Sequence, residues 1–149
     1  MADDSAVLLE RLNRKWKECD RIYHEVARRS GLSDCAFWIM YGLVCADGPL
    51  PQKNMSQAWQ YSKQTVASAL QQLERQGLIV VRLAEGSRRD KVIELTETGD
   101  AFCDRHVRPV LQSERQALQS MGAERAEALI ETMGHYLQLL SQVIDERRG

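Results

Sequence analysis

Gln64, Ser68, Gln71 and Arg75 recur at the three-to-four-residue spacing of a single helical face within residues 62–78, SKQTVASALQQLERQGL. Their amide, hydroxyl and guanidinium groups form a row of donors and acceptors. Such a row suits a surface that presents both kinds of partner, as the base edges of a DNA major groove do. Thr65 adds a hydroxyl and Lys63 a charge at the start of the segment, while Val66, Ala69, Leu70 and Leu73 form the opposite, apolar face. Solvated helices usually carry more Glu and Lys than this one does. A surface helix with a plain polar side is the competing reading of the segment taken alone.

The elements that must position this face are also legible. Ser62 is placed to accept hydrogen bonds from the free amides of a first helical turn, and Gly77 to supply the left-handed residue that closes the last. Residues 52–61 predict a short helical segment with Met55, Ala58 and Trp59 facing inward. The gap before Ser62 then becomes the tight turn of a helix-turn-helix pair. After Gly77, residues 78–83 (LIVVRL) and 92–95 (VIEL) read as two short strands joined by the loop AEGSRRDK. Gly86 and Ser87 allow that loop to turn, and Arg88, Arg89 and Lys91 make its tip basic despite Glu85 and Asp90. The apolar run 36–46 predicts a buried helix and is too short to span a bilayer, which needs roughly 18 apolar residues or more.

In this order the residues resemble the winged-helix regulators of the multiple antibiotic resistance regulator (MarR) type. The resemblance runs from GLSDCAFWIMYGL through SKQTVASALQQLERQGLI to the hairpin and the LTETGDAF that follows it. Its most specific pieces are residues 62–66, Ser-Lys-x-Thr-Val, and Leu95-Thr96-Glu97 with Gly99. The resemblance implies a mainly α fold with a small β-hairpin wing: a winged helix-turn-helix over 34–99, with dimerisation helices over 1–30 and 100–149, in a single domain of 149 residues. It further implies a homodimeric transcriptional regulator, a repressor more than an activator, that binds an approximate inverted repeat in double-stranded DNA. One departure stands out. The family's wing commonly carries an Asp two residues before its minor-groove arginine, and here Ser87 precedes Arg89.

Roles follow from side-chain chemistry. Gln64, Thr65 and Ser68 are expected at base edges, with Ser62 and Gln71 on the same surface. Lys53, Lys63 and Arg75 are expected at phosphates, and Arg88, Arg89 and Lys91 along the neighbouring minor groove. A net charge of −1 taken alone argues against such a partner, but the charge is unevenly divided. Residues 53–91 hold seven basic side chains (Lys53, Lys63, Arg75, Arg82, Arg88, Arg89, Lys91) against Glu74, Glu85 and Asp90, a local net of +4; the remainder holds 13 basic against 18 acidic.

Two long apolar stripes flank this region: Leu8, Leu12, Trp16, Cys19, Tyr23 and Val26 before Gly31, and Ala126, Leu129, Met133, Tyr136, Leu140, Val143 and Ile144 near the end. A chain with 44% apolar residues has enough material for one core, and both stripes could cover it. Packing against a second copy is the alternative they favour. An aromatic group, Trp16, Tyr23, Phe37, Trp38 and Tyr41 with Phe102, reads first as core. In resembling regulators small aromatic or phenolic effectors lodge between dimerisation helices and winged domain, which makes Trp16, Tyr23, His24, Trp38 and Tyr41 the ligand-binding candidates.

Cys19, Cys35, Cys45 and Cys103 show no metal or dithiol spacing and read as packing residues; some relatives use thiolates to sense oxidants, and Cys19 and Cys35 are the first candidates for that role. His24, His106 and His135 lack the spacing or carboxylate companions of a metal or catalytic site. No phosphate loop, nucleophile elbow or cofactor motif is present, so neither an enzyme nor a cofactor is expected. The acidic start MADDSAVLLERL has no signal-peptide pattern, and a cytoplasmic location is expected. The reading from another class is a winged-helix protein-interaction module that never touches DNA, which would show apolar residues where Gln64 and its neighbours stand.

Overall fold

The computed structural model describes residues 4–55 and 60–148. In chain order its elements are α1 (Asp4–Ser30), α2 (Asp34–Ala46), β1 (Leu50–Pro51), α3 (Lys63–Arg75), β2 (Ile79–Leu83), β3 (Lys91–Leu95), α4 (Glu97–His106), α5 (Arg108–Met121) and α6 (Ala123–Glu146). Residues 53–55 are also helical. Met55 is buried there as expected, while Ala58 and Trp59 lie outside the described residues. The fold is mainly α with a small antiparallel sheet. The sheet has three strands in the order β1-β3-β2, one more than the hairpin read from sequence. The extra strand is only two residues long, and Pro51 within it hides the pattern; as an edge strand it tolerates a residue without an amide proton.

Contacts divide the chain into two units, Met1–Val110 and Leu111–Gly149, where composition suggested one. In the first, α2 is the centre of the core. Ser33 caps it by accepting from the Ala36 amide, and Phe37, Ile39, Met40 and Leu43 are essentially inaccessible. Gly31, at φ +79°, ends α1 so that the chain can turn into α2. Val66, Ala69, Leu70 and Leu73 of α3 complete the core with Ile79, Ile93, Cys103 and Val107. The second unit contributes no buried residue from α6, whose Leu129, Ile130, Met133, Leu137, Leu139, Leu140, Val143 and Ile144 are all exposed. The apolar stripe of α1 is largely open over its first half, with Leu8 58% and Trp16 37% exposed, while Tyr23 and Val26 at its end are half-buried.

Recognition-helix candidate α3 is punctuated at both ends. The Ser62 hydroxyl accepts from the Thr65 amide at 3.1 Å, a cap of roughly 1 kcal/mol. At the other end Gly77, φ +70°, donates to the Glu74 carbonyl, and Leu78 donates to that of Leu73; this reciprocal pair closes the last turn and packs Leu78 onto Leu73.

The same two residues hold the root of the hairpin. The Leu78 carbonyl accepts from the Thr96 amide at 3.1 Å, and the Thr96 hydroxyl donates to the Gly77 carbonyl while accepting from the Gly99 amide as the cap of α4. Strands β2 and β3 run between these points with Ile79 opposite Leu95 and Leu83 opposite Lys91. The approach is close enough to exclude any side chain at Gly99, because a Cβ there would lie 1.8 Å from the Leu78 carbonyl oxygen. Gly99→Ala must therefore push two backbones apart, and overpacking of this kind is expected to remove roughly 3 kcal/mol of folding free energy. Urea unfolding checks this, with a lower midpoint expected and an unchanged one excluding the tight junction.

Candidate nucleic-acid interface

Burying four residues of α3 leaves the other side of the helix outward. Lys63, Gln64, Thr65, Ser68, Gln71 and Arg75 are all exposed. Beside the first turn of α3, a cleft of about 760 Å³ opens toward the hairpin, lined by Lys53, Lys63, Arg89 and Lys91 together with Gln52, Val66, Ala67 and Asp90. Four of the expected phosphate and wing cations are thus brought to one concavity, with one carboxylate among them. A second hollow of about 380 Å³ shares Gln52, Ala67 and Lys91 with it and is lined also by Gln71, Glu74, Arg82 and Leu83. Arg88 stands exposed at the hairpin tip.

Two members of the expected set have additional duties. The Ser62 hydroxyl caps α3 and lies 2.8 Å from the Thr65 hydroxyl, so both groups serve the helix start. Thr65 lines a different hollow, described below, and not the cationic cleft. Arg82, counted among the basic residues of the region, is paired at 2.9 Å with Glu94 across the strands, so its charge is locally matched. Ser87 accepts hydrogen bonds from the amides of Arg89 and Asp90, a role its position in sequence did not reveal.

The effector candidates separate. Tyr23, Trp38 and Tyr41 form one aromatic stack, with ring centroids 5.0 Å apart for Tyr23 and Trp38 and 5.1 Å for Trp38 and Tyr41. Phe37 meets Trp38 edge-on from the core side. His24 lies instead on a hollow of about 430 Å³ lined by Arg28, Leu32, Ser33, Asp34, Cys35, Tyr61 and Thr65. None of Trp16, Tyr23, Trp38 and Tyr41 lines it; Tyr23, next to His24 on α1, points about 100° away from it. His24 also has a carboxylate companion. Its Nδ1 sits 2.9 Å from Asp34, ten residues on and brought back by the Gly31 turn. No periodic signal connects those two positions. Phe102 packs against the core and faces His106 at 4.6 Å.

The thiols fall into two classes. Cys19 and Cys45 are exposed, and Cys35 and Cys103 are buried. Burial raises the Cys35 thiol above its ordinary value, which works against the thiolate an oxidant sensor needs. Cys103 is pushed up to about 11, chiefly by burial, with Arg108 opposing and Asp100 and Asp104 adding to it.

Residues 30–90 match the family model described as MarR family. A MarR family regulator from Neisseria meningitidis is similar in structure at 23% identity and a TM-score of 0.78, covering 94% of this chain and 98% of that one. A MarR transcriptional regulator from Methanosarcina mazei Go1 is similar at 14% identity and 0.67, covering 93% and 99%. NadR in complex with 4-hydroxyphenylacetate is similar at 15% identity and 0.69, covering 84% and 88%. Among curated proteins, none matches the sequence. At these identities the structural likeness establishes the winged-helix fold.

The state of Cys103 has a measurable consequence. The unfolded chain releases the thiol proton near the ordinary value of 9.0 and the folded chain only near about 11, so its contribution to stability is complete below pH 9 and is lost as pH rises toward about 11. The urea midpoint of the wild type is expected to fall more steeply across that window than that of Cys103→Ala. Parallel curves would show that the thiol does not titrate within the core.

Proposed function

From the premise that this chain is a MarR-type winged-helix protein, matched to that family over residues 30–90, we propose that it is a sequence-specific DNA-binding transcriptional repressor. The observation that carries the reading is the exposed polar face of α3 beside the cleft lined by Lys53, Lys63, Arg89 and Lys91. In this reading Gln64, Ser68 and Gln71 read base edges, with Thr65 at the margin. Lys53, Lys63 and Arg75 hold phosphates, and the hairpin carries Arg88, Arg89 and Lys91 toward the adjacent minor groove. The action is non-enzymatic and cytoplasmic. No helix among the described residues is long and apolar enough to cross a membrane.

A docking module using the same fold is disfavoured by the chemistry of the outward face, which offers amides, hydroxyls and cations in place of the apolar centre a protein interface needs. A small aromatic effector is proposed as the releasing signal. It is supported by the stack of Tyr23, Trp38 and Tyr41 and by a neighbour of the same fold solved with 4-hydroxyphenylacetate.

The functional unit we propose is a homodimer. Ten large apolar side chains of the second unit, from Leu118 to Ile144, and five of α1 are exposed in the single chain, more than a solvated helix normally carries. A two-fold arrangement would present two copies of α3 to major grooves about 34 Å apart, which requires an approximate inverted repeat.

Selection of bound fragments from a random duplex library, at low salt and without effector, is expected to enrich such a repeat; a failure to enrich any inverted repeat would favour the docking module. Arg89→Ala should weaken all duplexes alike and reduce the slope of log affinity against log salt by about one. A slope equal to that of the wild type would remove Arg89 from the contact. In sedimentation equilibrium the wild type should be dimeric, and Leu140→Glu should shift it to monomer at micromolar concentration. A wild type that sediments as a monomer would sink the two-fold model.

A further inference from the structure

The tip of the hairpin is an ordered turn. Gly86, at φ +74°, reverses the chain; the Ala84 amide donates to the Asp90 carbonyl at 2.7 Å and the Ser87 amide to the Ala84 carbonyl at 3.0 Å. Inside that loop the Ser87 hydroxyl accepts from two successive amides, Arg89 at 3.2 Å and Asp90 at 2.9 Å. Ser87 is half-buried, while Arg88, Arg89 and Asp90 around it are exposed. One side chain therefore sets the backbone from which Arg89 projects, and Arg89 lines the cationic cleft with Lys53, Lys63 and Lys91.

We propose that Ser87 is the positioning residue for the wing arginine, fixing where Arg89 enters the groove without touching nucleic acid itself. The inference rests on the DNA-binding reading above and specifies how the wing achieves its contact. A serine suits this task because its acceptor is uncharged. A carboxylate could also cap the two amides, but it would place a negative charge beside Arg89 and beside the incoming phosphates. The hydroxyl orders the loop and leaves the guanidinium's charge available. Ordering before binding also removes part of the loop entropy that association would otherwise cost.

Four variants test this. Ser87→Ala deprives two amides of their acceptor. Exchange at the Arg89 and Asp90 amides in the free protein should speed up, and affinity for the selected operator should fall roughly tenfold, the scale of two modest hydrogen bonds. The salt slope should stay at the wild-type value, because no cation has been removed, whereas Arg89→Ala lowers it. Ser87→Asn, whose amide oxygen can cap the same two donors, should recover most of the affinity. Ser87→Asp should restore slow exchange but bind more weakly than Ser87→Asn, with the gap widest at low salt.

Equal affinities for wild type and Ser87→Ala, with the operator still bound, would overturn the proposal while leaving DNA binding intact. A loss in Ser87→Ala that Ser87→Asn does not recover, or that tracks a lowered unfolding temperature, would also overturn it by making the residue merely structural. A wild type that binds no duplex at all, even with slow exchange at these amides, would instead sink the DNA reading and this inference together.

Discussion

The interface depends on a contact that lies outside it: the Leu78 carbonyl pressed against the bare backbone of Gly99, with Thr96 bonded to both Gly77 and Leu78. This junction joins the last turn of α3, the two ends of the hairpin and the first turn of α4. A hairpin of two five-residue strands is not stable alone in water. Fixed at its root, with Ile79 and Ile93 in the core, it becomes a rigid extension of the helix whose outer face it flanks. The cleft between Lys63 and Arg89 therefore has a defined width. Any loosening at Gly99 would act on the tip through a lever of five residue pairs.

The distribution of apolar surface follows from a similar constraint. Among the described residues, the first unit closes a core of 18 buried residues around α2. That core is already filled by α3, the sheet and α4, so the outer stripe of α1 has nothing left to cover within its own unit. The helices after Val110 face the same problem with less material: two helices offer each other one side at most, and α6 carries apolar residues on more than one, including Ile130, Leu137 and Leu139 beyond the expected stripe. Burying a Leu or Ile side chain is worth about 1.5–3 kcal/mol. With so many left open, assembly is a thermodynamic expectation before any symmetry is considered.

Much of this was legible in the residues. The two faces of α3, its Ser62 and Gly77 punctuation, the burial of most of 36–44 and both strands of the hairpin all follow from spacing and local chemistry, and such local rules survive because the tertiary structure agrees with them. What escaped was non-local. Thr96 bonds to Gly77 across 19 residues, and Gly99 has no sequence reason to lack a side chain until Leu78 is placed above it. His24 meets Asp34 only through the Gly31 turn, and β1 is too short to leave a pattern. In the site, the cations of the cleft were legible as a group. The commitment of Thr65 to the helix cap and of Arg82 to Glu94 was not, because hydrogen-bond geometry decides between two equally polar uses of one side chain.

The pairing of Arg82 bears on how an almost neutral chain would attract the nucleic acid proposed as its partner. A basic residue already matched by a carboxylate at 2.9 Å contributes little field at a distance, and to contact a phosphate it would have to leave that partner. In the DNA-binding reading the attraction would be concentrated in the cleft beside α3 and at the hairpin tip, where among the described residues no salt bridge matches Lys53, Lys63, Arg88, Arg89 or Lys91. Within roughly 8 Å, the screening length at physiological salt, four cations against one carboxylate outweigh the acidic balance carried elsewhere in the chain. The net charge is thus a poor guide to the partner, and the strand partner of Arg82 a good one. With Arg82 held by Glu94, a phosphate backbone meeting this chain would be drawn to the cleft beside α3 more than to the β2 side of the hairpin.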